Sequence, residues 1–316
     1  MPDLRPVVTT EQVMDLLAQH FQAPVRDLVP VEGGQVARTF AFRAGEREYI
    51  LRLNNDNMLT SNLPKEAYVL NKLASTSLPL APIVHLGRLG SLHFAISHKL
   101  PGKMLEEHTP QEVQTFLPQI LDVLEALRGV DVSDTQGYGV FDYQGQGLAT
   151  SWHACLSAVG NEEKEEDYYG KWYRLFDETF LERDFYTQLY QRMKDLLAYC
   201  PEERHLVYGN LSLRNMLAEN GRITALLDWL DASYGDFVYD IASLDFWWPP
   251  LGLRAAFQQD QQRRQRDLPF YAERLLCYEC HHALNGLRFF AKGGNLPAYQ
   301  MVKSLIQQKI AAYEAR

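Results

Sequence analysis

Residues 207–215 read Val-Tyr-Gly-Asn-Leu-Ser-Leu-Arg-Asn, "VYGNLSLRN", and they continue a short strand-like run, "HLV" at 205–207. Past Gly209 stand two amides five positions apart, Asn210 and Asn215. An Asn220-Gly221 turn and a second apolar strand, Arg222 to Leu227, then lead straight into Asp228. A carboxylate at the end of an apolar strand and an amide oxygen thirteen residues earlier can converge as hard oxygen ligands. That pair suits Mg²⁺, which keeps several waters and otherwise binds phosphate. Asn215 and Asp228 are the expected metal ligands.

The N-terminal half carries a second polar pair. In "EYILRLN", residues 48–54, Leu51 and Leu53 share one face of a strand, while Ile50 and Arg52 share the other. In "LPKEAYVLNKLA", Glu66 lies on the helical stripe of Val69, Leu70 and Leu73. A carboxylate turned toward a core is costly unless paired. The expected solution is an ion pair between Arg52 and Glu66. The competing reading has Arg52 snorkelling to water and Glu66 floating at the helix start.

Around these pairs the chain reads as α+β. A helix capped by Thr9 or Thr10 carries Val13, Leu16, Leu17 and Phe21. Strands over 38–43 and 48–54 flank a Gly45 turn, and two more surround Gly87 to Gly90, ending at Pro101-Gly102. Beyond that the pattern is mainly helical, as at 113–127, 185–199 and 268–290, apart from the island over 206–228. The expected domains are a small β-rich lobe over 1–98 and a larger helical lobe over 99–316. A boundary of this kind, near 97–102, commonly hosts a ligand cleft.

With 316 residues, 46% apolar and 22% charged, the chain is that of a folded globular protein. A net charge of -9 argues against nucleic acid or an anionic membrane as partner and is compatible with a cationic substrate. The start, "MPDLRPVVTTEQ", has no apolar leader, and no run is long enough to span a bilayer. Four cysteines in such a chain are expected as reduced thiols, and the compartment as cytoplasm.

The stretch "VYGNLSLRNML…ITALLDWLDASYGDFVYDIA" resembles the aminoglycoside phosphotransferase and choline kinase-like family. That family's pattern is H-G-D-x-x-x-x-N, a hydrophobic-Asp-aromatic step, then G-D-x-x-x-D-hydrophobic-A. The last two stand here as Leu227-Asp228-Trp229 and Gly235-Asp236…Asp240-Ile241-Ala242. "EGGQVARTFAF", "YILRLN", "KEAYVLNKLA" and "AISHKLPG" extend the likeness through the N-terminal half. It implies a protein kinase-like two-lobed fold and transfer of the γ-phosphate of ATP, with GTP an open alternative, to a hydroxyl of a small molecule. The implied acceptor is aminoglycoside-like, of the hygromycin B type. Gly33 and Gly34 would lie in the loop over the phosphates, and Arg52 would contact them while pairing with Glu66. Backbone groups from Ser97 to Lys99 would hold the adenine, and Asn215 and Asp228 would bind Mg²⁺. Asp236 and Asp240 would brace the loop.

Two positions depart from the pattern: Tyr208 replaces His, and Asn210 replaces the catalytic Asp. An amide accepts a hydrogen bond from a hydroxyl but cannot take up its proton. Asp231 is a candidate surrogate acceptor. The alternative reading is a non-catalytic, pseudokinase-type module that binds nucleotide or a cationic metabolite.

Other signals are discounted. Cys277-Tyr278-Glu279-Cys280-His281 matches a haem-attachment string, yet it falls inside a helical pattern and reads as core. The acidic run "NEEKEED" at 161–167 reads as a solvated segment, or else as an attractor for a polycation. Tyr168, Tyr169, Trp172 and Tyr173 after it read as packing residues, with sugar stacking the alternative.

Overall fold

The computed structural model describes residues 5–32, 37–55, 63–162 and 169–316. Helix α1 (Thr10–His20) starts at a reciprocal cap. Thr9 Oγ1 accepts from the Gln12 N–H at 3.2 Å, and Gln12 Oε1 accepts from the Thr9 N–H at 2.9 Å. Strands β1 (Val25–Val31), β2 (Arg38–Ala44) and β3 (Arg47–Asn55) follow, then α2 (Leu63–Leu73), β4 (Ile83–Leu89) and β5 (Leu92–His98). The strands form one antiparallel sheet in the order β1-β2-β3-β5-β4. Val13, Leu16 and Leu17 of α1 share a core with Phe42, Leu51, Leu53, Phe94 and Ile96, which leaves Arg52 for the opposite face.

Strand β1 was not expected from the pattern. It is an edge strand containing Pro30, with a register shift at Arg26 to Val29 where Asp27 takes φ +55°. Edge position tolerates the missing proline N–H, and the shift erases the alternation that would announce a strand.

A two-residue strand, β6 (Lys103–Met104), leads to α3 (Pro110–Thr115) and α4 (Leu117–Arg128). One helix over 113–127 was expected. Pro118 splits it, because it has no N–H to give the preceding turn and its ring collides there. Next come β7 (Tyr138–Phe141), β8 (Gly147–Ala149), α5 (Trp152–Ser157), α6 (Leu175–Glu178), α7 (Arg183–Leu196) and β9 (His205–Val207). The hairpin β10 (Met216–Glu219) and β11 (Arg222–Leu226) precedes β12 (Ser233–Gly235), α8 (Val238–Trp247), α9 (Leu253–Arg263), α10 (Tyr271–Lys292) and α11 (Leu296–Glu314). The expected island is thus divided. β9 joins a four-stranded sheet, β8-β7-β12-β9, whereas β10 pairs with β11 and β6.

Contacts group the described residues into two compact units. One draws on 1–109, 141–146 and 213–232, the other on 110–140, 147–212 and 233–316. This differs from a cut in chain order at 98/99, and the hairpin is the reason. Leu217 and Ala218 of β10 pair with Met104 and Lys103, and the Leu226 N–H donates to Pro79 O at 2.8 Å. In the second unit α10 is the central helix, packed by α7, α8 and α11. All four cysteines are thiols rather than disulfide partners, with Cys200, Cys277 and Cys280 buried and Cys155 half-buried. Among the described residues, no helix is long and apolar enough to cross a membrane.

Candidate active site

In the first unit, the pair read from alternation and helical spacing forms. Arg52 Nη2 lies 2.8 Å from Glu66 Oε2, with the Glu66 side chain 4% exposed and that of Arg52 21%. Burial opposes the Arg52 cation, but the charge of Glu66, its hydrogen bond and the charge of Asp228 outweigh that and raise its pKa. Arg52 is therefore permanently charged, and its side chain is not wholly sealed from solvent.

The β10–β11 hairpin supplies the other half. Met216 pairs with Leu226 at its open end, and the Leu227 N–H donates to Asn215 O at 2.9 Å. Antiparallel register therefore sets Asn215 opposite Leu227, with Asp228 the next residue along. The thirteen-position step from Asn215 to Asp228 passes over the eleven residues of this hairpin, Met216–Leu226, and Leu227.

Asp228 adopts φ +60°, a conformation that costs a non-glycine residue energy. Its carboxyl pKa is pushed up to about 7, first by burial and then by the Asp231 and Glu66 carboxylates. Arg52 and the Leu230 N–H work the other way. A carboxylate so crowded by like charge is one that a divalent cation would stabilise. The donors are hard oxygens, one amide and one acid, so they fit Mg²⁺ completed by phosphate and water. Among the described residues there is no group of three or more His, Cys, Asp or Glu that could hold a metal ion unaided.

One charged residue here escaped the sequence reading. Lys65, next to Glu66 on α2, is fully buried. Its ammonium donates to Leu230 O at 2.5 Å and sits 4.6 Å from the centre of the Phe141 ring. Its only sequence signal was a lysine abutting the stripe of Glu66 and Val69, a position that usually means solvent.

At the end of β5, Ser97 is buried and pairs with Ile50 and Ile83 on either side. The Lys99 N–H donates to Glu48 O at 3.0 Å, so any backbone contact from Lys99 to a base would use its carbonyl. Gly33 and Gly34 lie outside the described residues, as do 163–168, which include most of the acidic run and Tyr168.

The second unit holds the loop that bears Asn210. Asp240, buried on α8, accepts the N–H of Tyr208 at 2.7 Å and of Gly209 at 2.9 Å. Burial pushes its pKa up to about 7 against the pull of those two donors. Asp236, fully buried, accepts from Arg274 Nε at 2.8 Å, Arg274 Nη2 at 2.5 Å, the Tyr278 hydroxyl at 2.5 Å and the Val238 N–H at 3.1 Å. Both acids are spent on protein groups, as their expected bracing role requires. Asn210 itself is half-buried.

Residues 27–274 match the phosphotransferase enzyme family. The chain belongs to that family. This phosphotransferase is 30% identical over 268 residues to hygromycin-B 4-O-kinase of Escherichia coli, covering 84% of this chain and 74% of that protein. It is 27% identical over 311 residues to a probable ketoamine kinase of Vibrio parahaemolyticus, covering 96% and 98% of the two chains. A crystal structure of a thermostable mutant of aminoglycoside phosphotransferase APH(4)-Ia, in ternary complex with AMP-PNP and hygromycin B, matches it with a TM-score of 0.81. Identity there is 27%, over 95% of this chain and 98% of that one. The phosphotransferase thus has the kinase-like fold expected, with a small antiparallel sheet in its N-terminal part and a mainly helical C-terminal part.

The discounted signals of this phosphotransferase are accounted for by packing. Cys277 and Cys280 are fully buried on α10, where Cys277 Sγ points to Met193 O at 3.5 Å. Burial first, then His282 and Arg288, push the pKa of His281 down to about 3, and its Nδ1 lies 3.0 Å from the Tyr239 hydroxyl. Trp172 is 1% exposed, donates to Asn161 O at 2.8 Å and packs on Phe176 and Tyr186. Arg288 lies over both Tyr169 and Trp172.

Proposed function

We propose that this phosphotransferase moves the γ-phosphate of ATP to a hydroxyl of a small, amine-bearing molecule of the aminoglycoside type, in the cytoplasm and with Mg²⁺. One observation carries the reading: the Arg52–Glu66 pair stands in the same unit as Asn215 and Asp228, whose hairpin register brings their positions together. The acceptor class is supported by the names of the two relatives, a hygromycin-B kinase and a probable ketoamine kinase, and by a charge of -9.

Arg52 would hold phosphate oxygens with its guanidinium while Glu66 fixes its direction. Gly33 and Gly34 would lie over the phosphates, and backbone groups of Ser97 to Lys99 would take the base. Asn215 and Asp228 would hold the Mg²⁺, whose chemistry when bound is to neutralise charge on the phosphates. Asn210 would accept a hydrogen bond from the acceptor hydroxyl and orient it without removing its proton. Asp231, exposed and three residues past Asp228, would receive that proton. Phosphoryl transfer draws mainly on positioning and charge stabilisation, so these groups can sustain turnover without an aspartate at 210.

Asn210 and Tyr208 favour a second reading, a binder of nucleotide without transfer. An assay of γ-phosphate transfer from Mg-ATP to hygromycin B, other aminoglycosides and a ketoamine separates the two. Transfer is expected from the natural sequence, and Asn210→Asp is expected to raise its rate by about 10²–10⁴. Nucleotide binding with no transfer by either form would leave the binder as the answer.

A further inference from the structure

A lysine is almost never fully buried without a partner. Lys65 gives its ammonium to the Leu230 carbonyl, and the polar group at the other end of that residue is also committed, since the Leu230 N–H bonds to the Asp228 carboxylate. Leu230 is thus gripped from both sides, by α2 through one atom and by Asp228 through the other. The residue in between, Trp229, is fully buried and donates its ring N–H to Leu226 O at 3.2 Å. Backbone held in a sparsely populated region persists when its surroundings over-determine it, and Asp228 at φ +60° is such a residue.

We propose that Lys65 is a positioning residue for Asp228: by holding the Leu230 carbonyl it locks the 228–231 turn in the conformation that presents the Asp228 carboxylate to a metal ion. The inference deepens the Mg-nucleotide reading above and rests on it. Two consecutive side chains of α2 then serve two halves of one site, with Glu66 aiming the phosphate cation and Lys65 aiming the metal ligand. The cation survives in the interior because Asp231, Asp142 and Asp228 oppose the burial that pushes its pKa down to about 8. A bare counter-charge would act in the other direction. Removing a positive charge near three carboxylates would strengthen divalent binding, whereas removing a support weakens it.

The test compares ATP affinity by calorimetry in EDTA and in Mg²⁺ for the natural protein, Lys65→Met and Lys65→Gln. The magnesium-dependent gain is expected to fall about 10–100-fold in Lys65→Met, the range for lost partners of metal ligands, with affinity in EDTA unchanged. Lys65→Gln, which keeps a donor, is expected to fall between the two. A gain that is unchanged or larger in Lys65→Met overturns the proposal. Hydrogen exchange of the natural protein tests it without a variant. The 228–231 segment is expected to be protected before any ligand is added, and protection that appears only with Mg-ATP overturns it. A natural protein with no magnesium-dependent gain refutes the underlying reading instead, and this inference with it.

Discussion

A carboxylate shut inside a protein with two backbone N–H groups aimed at it, as Asp240 is, couples a loop's geometry to pH. Its folded pKa of about 7 lies above the ordinary value near 4, so the folded state holds its proton more tightly than the unfolded one. The stability it adds is complete below about pH 4 and is lost as pH rises through about 7. Asp228 acts with the same sign. Unfolding in urea at several pH values should show stability falling over this range, and Asp240→Asn should reduce that slope by up to about 1.4 kcal/mol per pH unit. An unchanged slope would mean that Asp240 is ionised at little cost. At this scale the sequence was informative where a residue broke a pattern: Arg52 interrupts an apolar strand, and Glu66 an apolar stripe. Lys65 broke nothing visible, because a lysine beside a buried stripe normally reaches water, and the carbonyl that its ammonium meets, that of Leu230, lies 165 positions away.

Among elements, the β10–β11 hairpin depends on a close approach at its edge. Gly102 has φ +112°, and a Cβ there would lie 2.6 Å from Ala218 O, a backbone atom that cannot swing aside. Gly102→Ala should cost about 1–3 kcal/mol in denaturant unfolding, with the loss concentrated where β6 meets β10. If stability is unaltered, the β6–β10 pairing does not hold in solution. The long, periodic elements were readable from the chain, and most of the short strands that pair across it were not. β7, β8 and β12 have three or four residues each, too few for alternation to register, and although β9 was read as a strand-like run, its non-local partner β12 was not. The break at Pro118 was legible in principle, since proline in a second helical position more often opens a helix than continues one.

For the whole molecule, a ligand that binds only the folded chain must raise its stability. Mg-ATP at about a hundredfold its Kd should add about 2.7 kcal/mol, seen as a rise in Tm that EDTA diminishes. No rise at any concentration would rule out nucleotide binding. The four thiols offer a way to watch this. Three are buried, and burial keeps the pKa of Cys280 above the ordinary thiol range, so a maleimide should react first at half-buried Cys155. The Sγ of Cys155 lies against Gly139 of β7, in the sheet that also contains the strand leading to Tyr208. The protein as it stands therefore offers one preferred attachment point for a fluorophore, with no cysteine to remove and none to add.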